Sequence, residues 1–100
     1  MFNKIKQFKN LRDQAKQLKE QLAEETVNAD WKDKIKMVMD GNQKILSVDI
    51  DSELLNPDKK EDLEKGIKSC LADAIKKSQM AAARKMQGMG GFGGMDLPSA

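Results

Sequence analysis

The side chains with the most chemistry to offer are eighteen lysines and arginines, and many of them fall at helical spacing. Lys9, Arg12, Lys16 and Lys19 are separated by 3, 4 and 3 residues, which lines them up on one face of a helix. Lys4 and Lys6 extend that line toward the N-terminus. Further on, Lys76, Lys77, Arg84 and Lys85 lie within ten residues that contain no acid. Cations held at fixed spacing match the phosphates of a polyanion, and such contacts ignore base sequence and weaken with salt. The same stripes also suit the solvated exterior of any helix, so the pattern alone leaves both readings open. Base readout has little support, because the chain has one Trp, three Phe and no Tyr for stacking or wedging.

Catalysis finds no foothold. The chain lacks histidine, the side chain that titrates near neutral pH. Its lone cysteine, Cys70, therefore has no imidazole to activate it. Asp49, Asp51 and Glu53 form a small acidic group, but without a calcium-loop pattern they read as capping and solubilising residues. The segment from Gly88 is glycine-rich, yet it opens no helix and lacks a Lys-Ser/Thr ending, so it is not a phosphate loop. We expect no enzyme activity, no catalytic residue, no metal, no cofactor and no small-molecule substrate.

The net charge of +2 hides an asymmetry. Residues 1–23 carry six basic and two acidic groups, residues 24–65 seven and twelve, and residues 66–100 five and two. A polyanion would meet the ends of the chain and not its middle. One cysteine excludes an intrachain disulfide, which suits a reducing cytoplasm. No run approaches the ~20 apolar residues of a membrane helix, and the N-terminus lacks the continuous apolar core of a signal peptide.

These charges need elements to position them. Phe8, Leu11, Ala15, Leu18 and Leu22 repeat at 3, 4, 3 and 4, a heptad seam that predicts a helix over about residues 3–25. Phe2 and Ile5 extend the seam. That helix is roughly 34 Å long, too long to lie entirely on so small a chain. A short strand follows at Thr26–Ala29. Ile35, Met37 and Met39 then alternate with polar neighbours, Asp40-Gly41-Asn42 marks a turn because Gly and Asn accept positive φ, and Leu46, Val48 and Ile50 alternate again. One face of that hairpin requires cover from the helices. Ser52–Leu55 forms a single turn and Asn56-Pro57 breaks it. Asp58, with Glu61 three residues on, reads as the capping box of a second helix. Leu63, Ile67, Cys70, Leu71, Ala74, Ile75 and Ser78 share one face of it. Cys70 is expected to be a small buried apolar residue. Residues 1–87 form the domain, and 88–100, with five glycines in the first seven residues, are expected to be disordered.

The fold class is therefore α+β: a long helix, a small antiparallel sheet with a β-hairpin, and a second long helix. A domain this small gains from self-association. The seam has two possible partners, the chain's own hairpin and second helix or another copy. Its strict spacing and length favour another copy for at least part of it. The expected dimer interface is Phe8, Leu11, Ala15, Leu18, Leu22 and Trp31, with Trp31 read as a core or interface anchor.

Val48, Ile50, Asp51, Leu54 and Leu55, followed by Glu61-Asp62-Leu63-Glu64, Asp73-Ala74 with its lysines, and the Gly-Met tail, resemble the YbaB/EbfC family of bacterial nucleoid-associated proteins. The resemblance spans essentially the whole chain. Family members usually have Pro where this chain has Ser52, often Asn where it has Ala72, and a glycine-rich stretch where residues 28–33 contain no glycine. The resemblance implies a tweezer-shaped homodimer that holds DNA with its helices, in the cytoplasm and on the nucleoid, with a role in transcription regulation. The leading expectation is a non-enzymatic protein that binds duplex DNA with low sequence specificity. The DNA contacts expected are Lys4, Lys6, Lys9, Arg12, Lys16, Lys19, Lys76, Lys77, Arg84 and Lys85. The alternative is a dimeric protein-interaction module, an adaptor or small holdase, that uses the seam and the Met-rich tail.

Overall fold

The computed structural model describes residues 2–88, with side chains from Asn10 onward. The order of elements is α1 (Phe2–Glu24), β1 (Thr26–Trp31), β2 (Ile35–Asp40), β3 (Ile45–Ile50) and α2 (Lys60–Gly88), with a 3₁₀ turn at Ser52–Leu55 and another at Pro57–Lys59. Gly88, expected as the first residue of the disordered tail, is instead the last residue of α2, and residues 89–100 of that tail lie outside the described residues.

The three strands form one antiparallel sheet in the order β1-β2-β3. Ala29, Ile35, Met37 and Met39 are buried under α2, where Cys70 and Ala74 complete the core. Burial and nearby carboxylates hold the Cys70 thiol above its ordinary pKa, burial being the larger cause. The alternation read from Ile35 to Met39 is therefore the true inner face of the sheet.

β1 and β2 are joined without glycine. Lys32 and Asp33 both take left-handed backbone, at φ 52° and 59°, as a two-residue mirror-image turn requires. Lys34 N–H donates to the Trp31 carbonyl at 2.9 Å, and Asp33 N–H to Asp30 Oδ1 at 3.0 Å. The Lys32 ammonium lies 4.8 Å from the centre of the Trp31 ring.

Three details depart from the sequence reading. At the β2–β3 turn the left-handed residue is Gln43, at φ 65°, and neither Gly41 nor Asn42 takes that role. Asp40 shapes this turn, its Oδ1 accepting from Asn42 N–H and Lys44 N–H at 2.9 Å each. Along β3 the pairing skips Leu46: Met37 faces Val48 and Met39 faces Ile45. This bulge puts Ile45 on the face of the methionines and removes Leu46 from the alternation. Third, Asp58 does not head a capping box. Asn56 caps instead, its Oδ1 accepting from Asp58 N–H at 3.1 Å, and Pro57 fills the first position of the turn, where no N–H is needed.

Cover from the helices also stops short. α2 lies over β1 and β2, whereas Ile45 and Val48 of β3 stay 44% and 48% exposed. The first helix is covered still less. Residues 10–17 of α1 are exposed throughout, and Leu22 is its one buried side chain among those described. The molecule is elongated, 65 × 27 × 18 Å.

Candidate nucleic-acid interface

The register gives the sheet two distinct ends. Trp31, Ile35 and Ile50 align at one, Thr26 and Asp40 at the other. α2 crosses from the first to the second. Gly66 lies against Trp31 and Ile35, and Ser78 Oγ donates to the Asp40 carbonyl at 2.7 Å. Residues 79–88 therefore project past the Asp40 end, and α1 arrives at that same end, where the Leu22 carbonyl accepts from Gly41 N–H at 2.9 Å.

Charge follows these ends. Arg12, Lys16 and Lys19 are exposed on α1, and Lys76 and Arg84 are exposed on α2. All five belong to the helix segments at or beyond the Asp40 end. The opposite end carries Asp51, Glu53, Asp58, Glu61 and Asp62, all exposed. Glu53 there pairs with Lys34, a bond that raises the pKa of the Lys34 ammonium. Exposed Asp13, Glu20 and Glu24 also stand on α1, and exposed Lys32, Lys59, Lys60 and Lys65 at the opposite end, so the two ends differ only by a net excess of cations at the first and of carboxylates at the second.

Not every predicted cation is equally available. Lys77 bonds Asp73 at 3.1 Å and donates to the Asn28 carbonyl at 2.9 Å, which ties α2 to β1. Lys85 sits 3.5 Å from Glu25 and ties α2 to the residue that follows α1. These two serve the fold, so any contact they make competes with an internal bond. Arg84 lines a cleft of about 340 Å³ between the helices, together with Gln21, Glu25, Ala81, Lys85 and Gly88. The side chains of Lys4, Lys6, Lys9 and Phe8 lie outside those described.

Two residues of the expected dimer interface are taken up by their own chain. Leu22 is buried against Gly41, and Trp31 packs beside Gly66. Leu18 is half-buried, while Ala15 and Leu11 remain exposed. The sequence reading also missed Lys44. It fell in the acidic middle of the chain by sequence, but the hairpin carries it, exposed, to the basic end. The signal was the turn itself, since a hairpin tip lies at one end of a sheet.

Among the described residues no group of three or more Cys, Asp or Glu side chains is arranged to hold a metal ion, and no described helix is long and apolar enough to cross a membrane.

The sequence pattern of the YbaB/EbfC DNA-binding family matches residues 1–95. A nucleoid-associated protein of Syntrophobacter fumaroxidans is 34% identical over 98 residues, covering 97% of this chain and 87% of the relative. Another, from a Roseiflexus species, is 33% identical over 81 residues, covering 81% of this chain and 79% of the relative. The crystal structure of an uncharacterised Helicobacter pylori protein superposes with a TM-score of 0.64 at 18% identity, covering 82% of this chain and 96% of that one. At that identity the likeness speaks to fold alone.

Proposed function

The chain belongs to the YbaB/EbfC DNA-binding family, and from that premise we propose that it binds duplex DNA as a homodimer on the bacterial nucleoid, with low sequence specificity. The observation that supports the reading is the placement of exposed Arg12, Lys16, Lys19, Lys76 and Arg84 on the two helix segments at the Asp40 end of the sheet. Lys4, Lys6 and Lys9 continue the α1 stripe by spacing. Contacts of this kind go to phosphates. Trp31, the described aromatic best suited to stacking, stands at the opposite end with its ring beside Gly66 and under Lys32. A role in transcription regulation follows from occupancy of DNA.

Self-association is supported by what the single chain leaves uncovered. β3 is an outer strand, and Ile45, Leu46 and Val48 on it are about half exposed. Edge strands with apolar surface pair with other chains unless blocked. We place the second copy on this strip, with Leu11 and Ala15 of the α1 seam available to it. The same strip would serve an adaptor or small holdase.

Reversing Lys9, Arg12, Lys16 and Lys19 to Glu separates the two readings. Mobility shifts on duplex DNA should show binding lost while sedimentation still reports a dimer. Wild-type affinity should fall by roughly 10³ or more between 50 and 200 mM salt if six or more phosphates are engaged. Wild-type binding that ignores salt, or reversal variants that bind as before, would refute the DNA reading.

A further inference from the structure

We propose that the β2–β3 turn is a latch that fixes the direction of α1, with Asn42 and Gly41 as positioning residues for the basic stripe. This rests on the DNA-binding reading for its purpose, but not for its geometry.

The last carbonyls of a helix have no partner within it. In α1 (Phe2–Glu24) the turn serves one of these, the Leu22 carbonyl, which also accepts from Glu25 N–H at 3.2 Å, and it adds a second donor to the Lys19 carbonyl one turn earlier. Asn42 Nδ2 donates to the Lys19 carbonyl at 2.9 Å, and Gly41 N–H donates to the Leu22 carbonyl at 2.9 Å. Gly41 is there for closeness and not for an unusual φ. A Cβ on it would stand 2.7 Å from the Leu22 carbonyl oxygen and 3.2 Å from Leu22 Cβ, so any side chain pushes the helix away. A third tie, Lys85 to Glu25, lies just beyond the helix. Every described contact that orients α1 therefore falls within its last turns and the residue after them, while residues 10–17 are exposed.

The consequence is mechanical. A lever roughly 34 Å long is aimed by a clamp at one end, and the clamp grips the backbone of Lys19, a member of the stripe. With α1 fixed against α2, phosphates met by the two stripes are bound in one event. With α1 free, the stripes bind as linked but separately ordered arms, and simultaneous engagement costs more entropy.

Asn42→Ala removes the donor, and Gly41→Ala wedges the contact. Asn42→Gln keeps an amide donor and serves as the rescue. Spin labels at Gln14→Cys and Gln79→Cys, in a Cys70→Ala background and diluted with unlabelled chain, read the α1–α2 distance. Circular dichroism and melting of each variant confirm that sheet and α2 persist. We expect Asn42→Ala and Gly41→Ala to broaden the distance distribution, weaken DNA binding about fivefold or more and lower its salt slope. Asn42→Gln should restore much of both. Unchanged distances in both variants overturn the latch. Broadened distances with unchanged affinity and slope overturn its positioning role. A wild-type chain that binds no DNA sinks the proposed function and the purpose of the latch, and the distances still decide its geometry.

Discussion

Gly66 sits inside α2, where glycine costs about 1 kcal/mol relative to alanine in helix propensity. Its use is close approach: a Cβ there would lie 2.6 Å from Trp31 Cε3 and 2.5 Å from Ile35 Cδ1. The Ile35 methyl has some freedom to turn aside, but the indole, half-buried against the core, has little. Gly66→Ala should therefore lower stability by roughly 1–3 kcal/mol despite the better propensity. In a domain this size that is a fall of about 4–8 °C in Tm per kcal/mol, read by calorimetry. A rise in Tm would mean that the ring gives way freely. Trp31 was legible as an anchor from its isolation among few aromatics. Its partner was not, because a glycine's role in helix packing leaves no periodic mark.

The elements show where pattern ends and geometry begins. Both helices and the β2–β3 hairpin are written in the 3.6- and 2-residue periods of their apolar side chains, whereas β1 was read only from β-prone residues at Thr26–Ala29 and runs to Trp31. The bulge at Leu46 is not, since Ile45 and Leu46 are both apolar and either fits the alternation. Caps were also ambiguous: Asn56 and Asp58 are both good cap residues, and Pro57 between them decides for Asn56. The β1–β2 turn works against local preference. Lys32 sits left-handed with a side chain that disfavours it, at a cost of about 1–2 kcal/mol, and Asp33 does so at a smaller cost because Asp tolerates that region better. Asp33 contributes its backbone N–H to Asp30, which glycine would keep. Asp33→Gly should thus stabilise the hairpin by about 0.5–1 kcal/mol, after the extra freedom of the unfolded chain is deducted. Denaturant midpoints test this, and a lower midpoint would show that the Asp33 side chain does more than occupy the turn.

For the whole molecule, the basic end was half legible. The stripes on each helix came from spacing, but their placement at one end depends on the sheet, which meets α2 at Ser78 and α1 at Leu22 there. The surface proposed for a second copy was less so, because a seam read along α1 says nothing of which leucines the hairpin takes first. Leu22 is spent on Gly41, and the uncovered apolar surface shifts to β3. Val48 faces Met37 across the sheet, on the side covered by α2 elsewhere, yet is 48% exposed. If a second copy covers it, Val48→Asp buries a carboxylate without a partner in each copy. Lost apolar burial and desolvation together cost roughly 3 kcal/mol per site, about 6 kcal/mol for the two copies, which is on the order of 10⁴-fold in the dimer dissociation constant. The isolated fold should survive, because the side chain is half in water there already. Sedimentation at micromolar concentration should then report monomer with unchanged circular dichroism. Leu11→Asp, on the exposed part of α1, should weaken the dimer far less. DNA affinity of the Val48 variant should drop with the dimer, since each copy then contributes its phosphate contacts alone. A dimer that survives Val48→Asp but not Leu11→Asp would return the interface to the helical seam.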